Sequence, residues 1–256
     1  MQEKITYEQP LNERIRTLLR LEFLFQQARH TLGGDTIWDS RATLSSILDI
    51  LNVCGRTDLK TEVLKELERH AVGLGRLERV PGVDSAALGH ILAELDISID
   101  RMHAVNGQPG QALRQIEFLN SVKQRSTIPG GLCDFDLPAY HYWLQQPPAQ
   151  RINDLQEWLG TLDSLRVAIQ LILRLLRECA SPGPEIAMGG FFQKSLEADN
   201  PCCQMVRVFI PASSPYYAEI SGGKHRFTVR FMEPVVGGRA VQSVEDVEFE
   251  LTCCIM

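Results

Sequence analysis

The sequence has few of the residues that mark fibrous, disordered or polyanion-binding proteins. Its 256 residues include only 19 Gly and 13 Pro, too few for a collagen-like or low-complexity chain. Basic side chains number 26 against 32 acidic ones, so the formal net charge is −6 and general nucleic-acid binding is not expected. With 44% hydrophobic and 23% charged residues, the composition is typical of a globular protein with one large or two modest domains.

Signals for a disulfide framework and for membrane insertion are also scarce. The seven cysteines are odd in number and include two adjacent pairs, at 202–203 and 253–254, which favours reduced thiols. The most apolar helical stretch, 162–176, is interrupted by Arg166 and Arg174 and falls short of the roughly 20 residues that span a bilayer. Residues 1–10 lack the basic and apolar regions of a signal peptide. We therefore expect a cytoplasmic protein with no membrane partner.

Motifs of catalysis and cofactor binding are missing as well. The six histidines never lie four residues apart, and none is spaced from a cysteine as in a zinc site. No Gly-x-Ser-x-Gly nucleophile motif occurs. The segment 218–225 is not a phosphate-binding loop, because Ala218 replaces its first glycine and His225 its Ser or Thr. We expect neither a metal nor a cofactor, and no enzyme activity that motifs reveal.

The hydrophobic periodicity divides the chain in two. From residue 12 to about 179, apolar residues recur at helical spacing, and Asp84 stands where an N-cap belongs. The segment 181–184, Ser-Pro-Gly-Pro, ends this pattern, and strands with period-two alternation follow. The sequence predicts an α+β fold, with an N-terminal α-helical domain over 1–182 and a C-terminal antiparallel β-rich domain over 183–256. Residues 1–9 are β-prone and are candidates to add a strand to the sheet.

The most informative stretch is the predicted strand at 224–231. Side chains two residues apart share a face, so Lys224, Arg226 and Arg230 project together, and the apolar residues between them project oppositely. Two interpretations remain open. If this strand pairs with the one near 244–251, acidic side chains at 246, 248 and 250 neutralise it. Otherwise the cationic face is free to bind a ligand or a partner.

Further basic and aromatic residues lie in the predicted helices. Arg16 and Arg20 are four residues apart on one polar helix face, and Arg56 follows the turn at Gly55. Alone, these are typical of solvated surface, and the aromatic cluster around His141 is typical of a core. An alternative function from the same residues is a small-anion receptor or an enzyme, with His225 or His141 transferring protons beside the basic strand.

Several segments, spread in order over nearly the whole chain, carry a resemblance to a known family. They are 7–23 (YEQPLNERIRTLLRLEF), 64–69 (LKELER), 81–84 (PGVD), 128–131 (IPGG), 135–138 (FDLP), 220–222 (ISG) and 226–231 (RFTVRF). The sequence resembles the ZapD family of bacterial cell-division proteins associated with the FtsZ ring. The resemblance implies a helical part that forms a homodimer and a β-rich part that binds the C-terminal tail of FtsZ, so that filaments are bundled at the mid-cell division ring.

The same resemblance implies which residues bind the tail. Lys224, Arg226 and Arg230 would line a basic pocket. Its possible neighbours are Arg20, Arg56, Arg114 and His141.

Overall fold

The computed structural model describes residues 3–55, 58–196, 203–223 and 225–255. In these residues the helices are α1 Glu13–Leu32, α2 Ile37–Cys54, α3 Leu59–Gly75, α4 Ser85–Ala104, α5 Glu117–Ser126, α6 Pro138–Leu144, α7 Pro148–Gly160 and α8 Asp163–Glu178. The strands are β1 Lys4–Pro10, β2 Gly183–Ala187, β3 Phe191–Ser195, β4 Cys203–Pro211, β5 Tyr217–Gly222, β6 Arg226–Glu233, β7 Val241–Gln242 and β8 Val247–Ile255. The predicted α+β fold class is confirmed.

Helix ends follow the local sequence. The Asp84 carboxylate accepts hydrogen bonds from the backbone N–H groups of Ala86 and Ala87, at 3.0 and 3.1 Å, and so caps α4 as predicted. Helices α6 and α7 begin at Pro138 and Pro148. Proline lacks a backbone N–H, but the first N–H groups of a helix have no intrahelical acceptor, so no hydrogen bond is lost there.

The chain forms two compact units whose boundaries fall inside helices. One unit, here the β unit, comprises Met1–Thr17 and Leu173–Met256. The other, the helical unit, comprises Leu18–Ile172. The boundary between these units lies at 172/173, before the division predicted at 182/183, and in the last turns of α8 the Arg177 carbonyl accepts a hydrogen bond from Arg207 of β4.

The β unit contains two antiparallel sheets that share one core. The first has the strand order β1-β4-β8-β2, and the second has β3-β6-β5 with β7 added to β6. Strand β1 pairs with β4 from Lys4↔Pro211 to Pro10↔Met205, so the amino terminus supplies an edge strand. The buried core residues come from both sheets: Ala187, Cys203, Val206, Val208, Ile210, Ala218, Phe227, Val229, Phe231, Val247, Phe249 and Leu251.

A carboxylate on β1 is held between two guanidinium groups of the same unit. Glu8 accepts from Arg177 Nη2 at 2.8 Å and from Arg207 Nε at 2.9 Å. Burial disfavours the charged carboxylate, but the hydrogen bonds and charges of Arg177 and Arg207 outweigh it and lower the pKa of Glu8. This cluster fixes the end of α8 against β1 and β4.

The helical unit buries the charged side chain of Arg151. Arg151 is 4% exposed, and its guanidinium donates to the Ser40 hydroxyl at 3.0 Å and to the carbonyl oxygens of Asp35, Leu144 and Gln146. Four acceptors therefore satisfy a cation that would otherwise be expensive to bury.

Candidate partner-binding site

Strand β6 has one buried face and one cationic face. Phe227, Val229 and Phe231 are each 0% exposed, whereas Arg226 and Arg230 are exposed. This is the predicted alternation, and it follows from the period of two along a strand. The apolar face fixes the strand in the core, so the two guanidinium groups project from the opposite side of the sheet.

The neighbouring strands place few acidic groups beside these arginines. Arg226 lies opposite Ser195 of β3, and Arg230 lies opposite Phe191 of β3 and Glu219 of β5. In the parts of the chain that the structure describes, no ion pair engages Arg226 or Arg230. Within the described residues, the two guanidinium groups are therefore available to bind a partner.

The interpretation that β8 neutralises β6 is wrong. Strand β8 lies in the other sheet, between β4 and β2, while β6 lies between β3 and β5. The acidic side chains of the predicted pairing are placed elsewhere: Glu250 forms an ion pair with Lys4 at 2.6 Å, and Asp246 accepts from the Gly189 N–H at 2.8 Å. Alternation in a sequence gives the face of each residue but not the neighbouring strand, which explains the error.

The remaining predicted site residues fall into two groups. Lys224 and Arg56 lie outside the described residues. Arg20, Arg114 and His141 belong to the helical unit, where Arg20 and His141 are exposed. Arg114 is half-buried, and its Nη2 donates to the carbonyl oxygens of Leu51 and Pro109, both at 3.3 Å. Arg114 therefore has a structural role at the end of α2.

His141 lines a hollow of about 630 Å³ in the helical unit. One wall is the loop at 128–131, where Gly130 adopts a φ of 73° that favours glycine. Beside it, Arg41 donates to the Leu132 carbonyl at 2.8 Å and stacks 5.2 Å from the centroid of the Trp38 ring. Trp38 is 73% exposed, so this hollow presents a large apolar surface next to a cation.

Sequence reasoning missed Phe191, Trp38 and Arg41. Phe191 is 37% exposed and is the cross-strand neighbour of Arg230, which no spacing in the sequence reveals. No spacing in the sequence singles out Trp38 or Arg41. The glycine-rich loop at 128–131 lines the same hollow and is the one sequence feature that points to it, because glycines often allow close approach to a binding surface.

Two other kinds of feature are absent from the residues that the structure describes. In the described residues, no group of three or more His, Cys, Asp or Glu side chains is arranged to hold a metal ion. Among the helices in those residues, none is long and apolar enough to cross a membrane.

Comparison with known proteins identifies close relatives. A family model described as ZapD, cell division protein, matches residues 19–230. The chain is 45% identical to the cell division protein ZapD of Methylococcus capsulatus over 256 residues, which is 100% of both chains. It is 40% identical to the protein of that name from Aromatoleum aromaticum, covering 99% of this chain and 98% of the relative. It is 38% identical to the protein of that name from Azoarcus sp., covering 98% of this chain and 100% of the relative.

Proposed function

The chain belongs to the ZapD family of cell division proteins and has a role in cell division, and from this premise we propose that it binds the C-terminal tail of FtsZ and crosslinks FtsZ filaments as a homodimer. In this proposal the β unit captures the tail, the helical part forms the dimer, and the protein acts in the cytoplasm at the mid-cell ring. It acts by binding and not by catalysis.

The observation that carries the proposal is the outward cationic face of β6. Arg226 and Arg230 project from one face and form no ion pair with any described residue. A guanidinium group binds a carboxylate with two parallel hydrogen bonds, which fixes the orientation of an acidic peptide. Lys224, Arg20, Arg56 and His141 remain candidate contacts, and Arg114 is the weakest of the set because backbone carbonyls already accept its hydrogen bonds.

Charge alone is too weak to explain capture. Three exposed ion pairs contribute about 1 to 3 kcal/mol together, whereas micromolar binding requires about 8 kcal/mol. Burial of a large apolar side chain contributes about 1.5 to 3 kcal/mol. Phe191, beside Arg230, offers an apolar surface on the same face. We therefore expect the tail to bring apolar side chains as well as carboxylates.

Bundling follows from the number of binding sites on a dimer and the number of tails on a filament. A two-fold dimer carries two copies of each site, and a filament presents many tails. Once one site is occupied, the second faces a high effective concentration of tails, so weak single contacts produce stable crosslinks.

Co-sedimentation with FtsZ filaments tests the proposal. We expect Arg226→Glu and Arg230→Glu each to abolish bundling while the dimer persists in light scattering, because charge reversal repels an acidic tail. Arg239→Glu, an equal charge change at an exposed loop position, is the matched control and should bundle normally. Unchanged bundling by both β6 variants would contradict the site. Thermal stabilisation by small anions, with no response to a tail peptide, would instead support the anion-receptor alternative.

A further inference from the structure

The outer face of the first sheet, which points away from the shared core, is covered at one end. Met205 of β4 and Thr252 and Cys254 of β8 project onto this face by strand alternation, yet each is at most 2% exposed. Helix α8 ends at this place, where Arg177 in its last turn forms an ion pair with Glu8 of β1 at 2.8 Å. The side chains at this end are therefore already packed and offer no surface to a partner.

The other end of the same face contains a hollow of about 580 Å³. Phe209 of β4 and Ile186 of β2 line it, and Pro184 and Pro211 add further apolar surface. Phe209 is half-buried, whereas Ile186 is 52% exposed. Isolated exposed apolar residues are common on protein surfaces. Here four apolar side chains border one hollow, which is typical of a surface that binds a partner.

Carboxylates of β8 stand between these apolar side chains. Glu250 lies in register between Phe209 of β4 and Pro184 of β2, and Glu248 lies opposite Ile186. Glu248 is exposed and forms no ion pair with any residue that the structure describes. The acidic alternation along β8, which does not neutralise β6, therefore lines this hollow instead.

A lysine of the same unit shows which charge this hollow accepts. Lys4 of β1 lies opposite Pro211 of β4, and its ammonium reaches across β4 to the Glu250 carboxylate at 2.6 Å. At the rim, Glu185 binds the ammonium of Lys194 at 3.3 Å. Ion pairs as exposed as these are weak, so a lysine or arginine of another protein can exchange with Lys4. The hollow thus combines apolar surface with carboxylates that bind ammonium groups.

We propose that this hollow, lined by 184–186, 209, 211 and 248–250 and here called the β8 groove, binds a protein segment that presents apolar side chains beside Lys or Arg. The apolar side chains of the segment cover Phe209 and Ile186, and its basic groups bind Glu248 and Glu250. The cationic face of β6 has the opposite charge and belongs to the other sheet, so the two surfaces point away from each other across the shared core. The groove therefore serves a second partner, and the inference does not depend on FtsZ binding.

Peptide titrations of the full chain test the chemistry of the partner. The probe is a short fluorescent peptide of alternating Lys and Leu, and its binding is measured by fluorescence anisotropy. We expect it to bind at least about tenfold more tightly than a peptide with Ser in place of Leu, because the apolar contacts are then lost. A peptide with Glu in place of Lys should also bind more weakly. Equal binding of the Lys–Leu and Lys–Ser peptides would reflect only general attraction to a chain of net charge −6, and would overturn the proposal.

Variants at exposed positions locate the binding. We expect Glu248→Lys to weaken binding of the Lys–Leu peptide at least about fivefold, and Ile186→Ser to weaken it about tenfold. Glu157→Lys makes the same charge change at an exposed position of α7 and is the matched control, which should bind as the wild type does. Equal weakening by Glu157→Lys and Glu248→Lys would overturn the site.

Sedimentation velocity of the chain alone tests the other possible occupant, a second copy of this chain. We expect the mass to be the same in Glu248→Lys and wild type over the same range of concentrations. Growth of the wild-type mass with concentration that Glu248→Lys abolishes would mean that a second copy fills the groove, and would overturn the choice of partner.

Discussion

Arg230 of β6 lies directly opposite Glu219 of β5, and the two side chains, both in the described part of the chain, form no ion pair. Glu219 is the one acidic residue directly opposite either arginine in the described strand pairings. Its carboxylate therefore lowers the positive potential of the face without occupying the guanidinium group.

The first prediction concerns this carboxylate. We expect Glu219→Gln to tighten binding of a labelled FtsZ tail peptide about twofold, since a cross-strand charge pair contributes about 0.2 to 1 kcal/mol. Fluorescence anisotropy measures the change. Glu233→Gln is the control, because Glu233 projects from the opposite side of β6 by alternation. Weaker binding by Glu219→Gln would mean that Glu219 contacts the peptide favourably.

The second prediction concerns salt. Peptide affinity should fall as ionic strength rises, because the Debye length shrinks from about 10 Å at 0.1 M to about 3 Å at 1 M. An Arg226→Gln, Arg230→Gln double variant should bind weakly at every salt concentration and show a flatter dependence. A wild-type affinity that does not change with salt would indicate an apolar groove without charge anchoring.

The third prediction concerns acid. The pKa of Glu8 is lowered in the folded protein, so the unfolded chain binds more protons around and below the ordinary value of 4.5. The stabilisation is therefore present above that value and is lost as the pH falls through the folded pKa. We expect Glu8→Gln to reduce the free energy of unfolding at neutral pH by about 1 to 3 kcal/mol.

Urea unfolding at several pH values measures this effect. The acid sensitivity should be smaller in Glu8→Gln than in wild type, whereas Glu233→Gln, at an exposed position, should keep the wild-type profile. Parallel profiles for Glu8→Gln and wild type would show that Glu8 does not contribute.

The fourth prediction separates the two faces of β6. Phe231 is fully buried in the shared core, so Phe231→Ala should destabilise the fold by about 3 to 5 kcal/mol. Arg230→Gln, one residue away on the outer face, should change the free energy of unfolding by less than about 0.5 kcal/mol. Equal destabilisation by the two variants in urea titrations would contradict the division of β6 into a core face and a binding face.

The alternation of β6 was predictable from sequence because a period of two determines which residues are buried together. Its neighbours β3 and β5 were not, because many strands in the carboxy-terminal part share that period. The helix cap at Asp84 was predictable for a similar local reason, because the accepting carboxylate and the backbone N–H groups that donate to it, those of Ala86 and Ala87, are close in sequence.

Long-range polar contacts were beyond the reach of sequence reasoning. Arg151 looks like any surface arginine in a helical pattern, yet it is buried and donates to Ser40, which is distant in sequence. The same holds for Glu8, whose two arginine partners come from α8 and β4. Pairings of this kind depend on the tertiary fold, and no periodicity encodes them.

The pairing of β1 with β4 has a consequence for biosynthesis. β1 leaves the ribosome long before β4, and at about 5 to 20 residues per second the intervening chain takes about 10 to 40 s to translate. During that interval the nascent strand has no hydrogen-bonding partner, while the residues of the helical unit are already being made. We expect the helices to fold first and the β unit to close only when translation nears its end.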